Sequence, residues 1–313
     1  MRRLGYLYVA LGGALFATNG VMSRVVFDAG MQPRDLAAWR VYGATLVLLI
    51  ALVPAARRIR REDLLPIGLF GLFGIVLAQG FYYEAISRLD IAVALVIVYT
   101  APIVVAAYQR LRFHELLPRR AYVAMVVAIA GVAVAVLSGA GGVGALSTTG
   151  LLFALATMLA FAAQVVLAAK QPRSLPPLAR TGAGMLAASL IWLAVIPVWT
   201  LPFGIAGQSE QLLGRVHLDV PIWFAIAYVV VLGTAAPYLL LIVGATRIGP
   251  GAASMVGMAE PIVASIVAWL VLGQSLTPLQ SLGIVVTIAG IAVVEQARLA
   301  RGRAQVELIP PEL

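Results

Sequence analysis

Glu260 stands about eleven residues into an apolar run that covers roughly 250–272. A charge at that depth in a hydrocarbon layer costs several kcal/mol, so the residue needs a reason to be there. At helical spacing its face reads Ala253, Gly257, Glu260, Ala264 and Ala268, a stripe of small residues on which a second helix can close. The acid therefore points at protein and away from lipid. Two readings stay open: a carboxylate that takes up a proton or binds an amine, or a structural brace beside the Pro261 break.

Other polar groups are spaced so that they could share a site with it. Arg40, early in the run 34–56, can hold a carboxylate with two parallel hydrogen bonds. It can equally pair with Asp35 or Glu84, or snorkel to the interface. Tyr82 shares a stripe with Gly71, Ala78 and Ala85, Tyr83 shares a face with Gln79, and Tyr99 lies one turn before Pro102. Tyr82, Tyr99 and Trp39, with Tyr238 opposite, would make an aromatic wall for an apolar or aromatic group; the alternative is the interfacial tyrosine belt. Asn19 shares a side of its run with Gly12, Phe16 and Ser23, and an offset of 145 residues puts Thr157, Phe161, Gln164 and Ala168 in the same places. The amides of Asn19 and Gln164 can hold a ligand or brace the bundle. Glu84, Arg88 and Asp90 read as a solvated ion-pair cluster.

These residues must be positioned by membrane helices. The 313 residues are 62% hydrophobic and 11% charged, and mean hydropathy is +1.00. Runs of about 20 apolar residues recur along the chain, each long enough to cross a bilayer. Lipid cannot satisfy backbone amides, so each run is expected to be an α-helix. Ten are expected: helix 1 at roughly 4–26, then 34–56, 64–86, 90–111, 119–138, 147–169, 179–202, 221–244, 250–272 and 277–297. The glycine-rich stretch Gly139–Gly144 ends helix 5. The longest loop, roughly 203–220, is expected to be surface structure without a domain of its own. The first run leads to Arg24 and Asp28 with no cleavage-like site and is expected to be retained.

The chain repeats itself. An offset of 159 residues carries Arg88 to Arg247, Pro102-Ile103-Val104 to Pro261-Ile262-Val263, and Ile129-Ala130-Gly131 to Ile288-Ala289-Gly290. Two units follow, 1–145 and 146–297, with a tail at 298–313. Five helices per unit is an odd number, so the units enter the membrane from opposite sides, an arrangement typical of secondary transporters with a midplane site. Pro102 and Pro261 would place two equivalent helix breaks near the pseudo-symmetry axis and serve as hinges. Arg and Lys concentrate at Arg2, Arg3, 57–61, 110–120, 170–180, Arg247 and 298–303, which puts both termini in the cytoplasm.

Phe16-Ala17-Thr18-Asn19-Gly20, Arg40, Tyr99-Thr100-Ala101-Pro102, Glu260-Pro261 and Leu272-Gly273-Gln274 followed by Gly283 and Gly290 resemble the EamA repeats of the drug/metabolite transporter superfamily. The likeness covers about 5–138 and 150–295. It implies an all-α integral membrane protein, ten helices in two inverted five-helix repeats, and carriage of amino acids, related metabolites or drugs, commonly outward. Where the family usually has an acid after the helix 9 Leu-Gly, this chain has Gln274, while the first repeat keeps Glu115.

The net charge of +9 lies in the gaps between apolar runs without aromatic interleaving, which argues against nucleic acid. There is no cysteine, no phosphate-cradling G-x-x-x-x-G-K-[ST] motif, and only His114 and His217, both near loops, so neither a metal centre nor an enzyme is expected. No cofactor is expected. The expected partners are a small-molecule substrate and the lipid bilayer, in a monomer of the cytoplasmic membrane; drug efflux, a facilitated-diffusion carrier of another metabolite and a channel are the alternatives to amino-acid export.

Overall fold

The computed structural model describes residues 2–113, 117–138, 147–212 and 215–307; the expectations for His114, Glu115 and the 139–144 turn lie outside them. Nine helices among the described residues are long and apolar enough to cross a membrane. They are helix 1 (Arg3–Asp28), helix 2 (Pro33–Arg58), helix 3 (Arg61–Ile86), helix 4 (Ile91–Arg112), helix 5 (Arg119–Leu137), helix 6 (Thr148–Ala168), helix 7 (Pro177–Val195), helix 8 (Ile222–Ile248) and helix 10 (Pro278–Ala297). Helix 9 is built from two shorter pieces, Pro250–Gly257 and Glu260–Leu272. The chain is an all-α membrane protein of ten spans.

The inversion is visible in which ends meet. Arg24, at the end of helix 1, donates to the carbonyl of Ile86 at the end of helix 3, 2.6 Å away, so these two run the same way. Gly5, at the start of helix 1, lies against Ile248 and Arg247 at the end of helix 8, so helix 8 runs the other way. Helix 8 is the counterpart of helix 3 under the 159-residue offset. The mirrored contact is also present: Gly150, opening helix 6, lies against Leu89 and Arg88 in the turn that follows helix 3.

Pseudo-symmetry reaches into backbone irregularities. Helix 4 is broken into Ile91–Val98 and Ala101–Phe113, and helix 9 breaks at the equivalent residues, with Met258 and Ala259 matching Tyr99 and Thr100. Pro102 and Pro261 each occupy the first turn of the second piece, where a missing N–H costs nothing. Helices 3 and 8 both carry π-helical turns, Phe70–Leu77 and Val231–Ala235, which overlap under the same offset. Such turns widen a helix and concentrate at functional positions. The proline breaks are legible in the sequence and these turns are not, because no residue type encodes a π-turn.

Helices 5 and 10 form the tightest pair. A Cβ on Gly131 would stand 2.8 Å from the Gly283 carbonyl, and one on Gly290 would stand 2.8 Å from the Ala124 carbonyl. The offset turns the first contact into the second. The loop expected at 203–220 contains a short turn, Phe203–Gly207, and a two-stranded hairpin, β1 (Ser209–Gln211) with β2 (Asp219–Pro221), in register Glu210 to Val220. It covers the end of helix 9: the Arg215 amide donates to the Leu270 carbonyl at 2.8 Å, and its guanidinium lies 4.5 Å from the Trp269 ring centre. Helix 10 continues past the expected tail boundary, through Glu307.

Candidate functional site

Arg40 is the hub of the polar interior. It is 2% exposed, and its Nε donates to Thr234 Oγ1 at 2.6 Å, while Nη1 donates to Gln79 Oε1 and, at 3.4 Å, to the Tyr83 hydroxyl. The guanidinium carbon lies 5.6 Å from the Tyr83 ring centre. Neither expected acid is its partner, because Asp35 pairs with Arg34 at 3.8 Å and Glu84 with Arg88. Among the described residues Arg40 makes no ion pair, so a permanent cation is held by neutral groups from helices 3 and 8. The snorkelling alternative is excluded by its burial.

Thr234 reaches Arg40 because of the π-turn. Its hydroxyl donates to the Val229 carbonyl, five residues back and 2.7 Å away, which leaves the oxygen lone pairs facing Nε. Thr234 was missed by sequence reasoning, and its only signal was a small polar residue beside Gly233 in an otherwise apolar run. Gly233 is there for space: a Cβ would meet Asn19 Oδ1 at 2.7 Å. The pseudo-symmetric position obeys the same rule, since a Cβ on Gly74 would meet Gln164 Cγ at 2.8 Å. The expected pairing of Asn19 and Gln164 as equivalents thus appears as two equivalent glycine contacts. Both Gly233→Ala and Gly74→Ala are expected to lower the melting temperature. The first should cost more, about 1–3 kcal/mol, because Asn19 is buried and accepts from Tyr83 at 3.4 Å, whereas half-buried Gln164 can swing aside. Equal melting of the two variants would count against this account.

Glu260 opens the second piece of helix 9 and accepts a hydrogen bond from the Tyr99 hydroxyl at 2.7 Å. The same hydroxyl lies 3.1 Å from the Gly257 carbonyl, which the helix break leaves without an intrahelical donor. Tyr99 therefore ties the break in helix 4 to the break in helix 9. Tyr82 lies within electrostatic reach of both Glu260 and Arg40, and its hydroxyl fits over Gly20, where a Cβ would stand 2.9 Å away. Tyr238 has the Gln164 side chain as its polar neighbour and packs edge-on against Phe16, ring centres 5.3 Å apart. Tyr82, Tyr99, Tyr238, Gln79, Gln164 and Glu260 are only partly buried although all face other helices. They border space that side chains do not fill.

Trp39 is not brought into this group. One residue from Arg40, it turns away by a third of a helical revolution and packs on Phe203 of the loop, ring centres 5.0 Å apart. Its indole N–H is buried without a partner among the described residues. Tyr83, given only a secondary place by the sequence, is fully buried between Arg40 and Asn19. Of the expected cluster of Glu84, Arg88 and Asp90, Glu84 and Arg88 form a partly exposed ion pair, and Asp90 makes none among the described residues. Gln274, at the place of the missing acid, accepts from the Ile91 amide at 3.3 Å and so caps the start of helix 4, a task an acid would also perform.

The sequence profile of the EamA-like transporter family matches residues 3–137 and again 148–295. An uncharacterized inner membrane transporter, YicL, of Salmonella typhimurium is 23% identical over 96% of this chain and 98% of its own. An uncharacterized transporter, YdfC, of Bacillus subtilis is 26% identical over 84% of this chain and 81% of its own. A solved crystal structure superposes with a TM-score of 0.61 over 96% of this chain and 99% of the other, at 17% identity, which shows the shared fold. With two matches that together span nearly the whole chain, on ten inverted helices around a polar centre, the chain belongs to the EamA-like transporter family.

Proposed function

We propose that the chain is a secondary carrier of the cytoplasmic membrane, with both termini in the cytoplasm, that exports amino acids or closely related zwitterionic metabolites by alternating access. The observation that carries this reading is the pair Arg40 and Glu260. One repeat supplies a cation and the other an anion, with Tyr82 within electrostatic reach of both. A zwitterion presents the complementary pair, its carboxylate to Arg40 and its ammonium to Glu260. Tyr82, Tyr99 and Tyr238 offer ring faces to an apolar side chain. Such an assignment of charges gives a drug-like cation no use for Arg40, which is why amino-acid export is preferred to drug efflux.

Alternating access fits the conformer. The end of the bundle away from the termini is shut: Ile91–Val98 is buried at every residue, Gln274 pins its first amide, and Arg24 pins the end of helix 3. Rocking at the two breaks would carry solute past Tyr99 and release the Tyr99 to Glu260 bond. When the site is empty Glu260 takes up a proton, which couples return of the empty carrier to the proton gradient.

Purified protein in vesicles, assayed for counterflow against a panel of labelled amino acids with and without an imposed pH gradient, tests this. At least one amino acid is expected to exchange. Glu260→Gln is expected to cut exchange about ten-fold or more and to remove the response to the gradient, an effect of about 1.4 kcal/mol or more. A fully active, gradient-insensitive Glu260→Gln protein would end the proton coupling. Discrete conductance steps on planar bilayers would replace the carrier with a channel.

A further inference from the structure

Away from this site, helices 3, 4 and 6 enclose a groove of about 340 Å³ in the half of the bundle nearer the termini. Leu69 and Phe73 form one wall, Val104 and Tyr108 the second, Leu159 and Ala163 the third. Among the lining residues only Tyr108 carries a polar side-chain atom. The floor is a small apolar cluster of Ala101, Val105 and Ala162. Its inner end is stopped where the Thr100 hydroxyl donates to Met158 Sδ at 2.9 Å, so the groove does not belong to the Arg40 and Glu260 site.

Hydrocarbon borders these helices, and a groove of this lining has no use for water or for a polar solute. What it lacks is a head for whatever tail fills it, and the helices supply one. One turn further toward the termini, Arg112 comes into line with Tyr108 on helix 4, and Lys170 stands in the turn that follows the end of helix 6 at Ala168, four residues after Val166. Lys170 is exposed, and exposed Arg173 follows three residues later. Gln171 fastens this mouth by donating from Nε2 to the Pro66 carbonyl of helix 3 at 2.9 Å. Tyr108, 37% exposed, stands between tail and head, at the depth where a phenol has one apolar and one wet side.

We propose that the groove is a binding site for one anionic phospholipid of the leaflet on the termini's side, an acyl chain lying between helices 3, 4 and 6 and the phosphate on Lys170 and Arg112. A single tail would then fill the space beside the second piece of helix 4, immediately after the break at Tyr99 and Thr100. Lipid in this seat holds that piece against helix 6. The site stands whether or not the solute is an amino acid.

Delipidated full-length protein in detergent, supplied with phosphatidylglycerol or phosphatidylcholine of identical acyl chains, tests the proposal by thermal unfolding and by native mass spectrometry. Phosphatidylglycerol is expected to bind about ten-fold more tightly than phosphatidylcholine and to raise the melting temperature at lower concentration. Lys170→Gln combined with Arg112→Gln is expected to erase that difference while leaving the response to phosphatidylcholine. Ala163→Phe, which fills the groove, should remove both responses. If Ala163→Phe does not fold, the charge variant decides alone. Equal binding of the two lipids by the wild type, an unchanged preference in the charge variant, or retained lipid in a folded Ala163→Phe protein would each overturn the site.

Discussion

Arg40→Leu is expected to abolish exchange of every solute that carries a carboxylate, with a loss of at least about 100-fold, while the protein still reaches the membrane. The magnitude follows from what Arg40 does. Hydrogen bonds to a charged group contribute about 1.5–3 kcal/mol, or roughly 10- to 150-fold in affinity, and a substrate carboxylate held by both arms of the guanidinium uses two of them. Leucine also leaves Thr234, Gln79 and Tyr83 without their common partner, so the aim of the surrounding side chains is lost along with the charge. Arg40→Lys is the informative companion. It keeps the charge, but an ammonium on a flexible stem cannot reproduce a planar fork that reaches helices 3 and 8 together. Lysine is therefore expected to retain some exchange with a raised KM. The decisive comparison is between an amino acid and its carboxamide: Arg40→Leu should depress exchange of the first far more than of the second. Equal losses for both would make Arg40 a brace of the bundle and not the carboxylate's partner.

Why Arg40 stayed ambiguous in the sequence is instructive. The helices, their number and their inversion were legible because lipid imposes one rule on every residue of a span, and because the 159-residue offset preserved the features that build helices: prolines, glycines and apolar runs. The breaks at Tyr99 and Met258 were legible for the same reason, through Pro102 and Pro261. The site was less legible because it lies where the repeat has lost its symmetry. Contacts of Gly43 with Val230 and of Ala187 with Gly71 pair helix 2 with helix 7 and place Gly184 where Arg40 would be. In the same way Ile75 answers to Thr234, Ala101 to Glu260 and Met258 to Tyr99. Each polar group faces an apolar or absent counterpart, so no repeated pattern marks it. The Thr234 partner of Arg40 depended on a π-turn, which sequence does not encode, and Asp35 and Glu84 were the protein partners that the sequence offered. Trp39 was misplaced for a simpler reason, since its face of helix 2 is covered by Phe203 from a loop whose path could not be read.

The same symmetry argument yields the largest expected effect on stability. Gly283→Leu is expected to prevent assembly of the two repeats, and Gly283→Ala to lower the melting temperature markedly. A Cβ on Gly283 would stand 2.5 Å from the Ala135 amide nitrogen and 2.7 Å from the Gly131 carbonyl oxygen, and neither is a side chain that can rotate away. Helices 5 and 10 must then separate along their length, and Gly131 and Gly290 lose their close backbone contacts as well. Overpacking of one methyl costs about 1–3 kcal/mol where side chains can adjust, so backbone contact sets the cost at the upper end or beyond. Gly13→Ala is the control, because a Cβ there meets nothing within 4 Å and should leave stability unchanged or slightly raised. Fluorescence-detected size exclusion after graded heating separates the cases: Gly283→Leu gives no monodisperse peak, Gly283→Ala loses its peak at lower temperature, and Gly13→Ala follows the wild type. Gly283→Ala melting with the wild type would mean that helices 5 and 10 do not meet at backbone distance. The seam between the repeats would then have to be sought in their other close contacts, such as that of Gly182 with the Leu48 carbonyl, where a Cβ would stand 3.1 Å away.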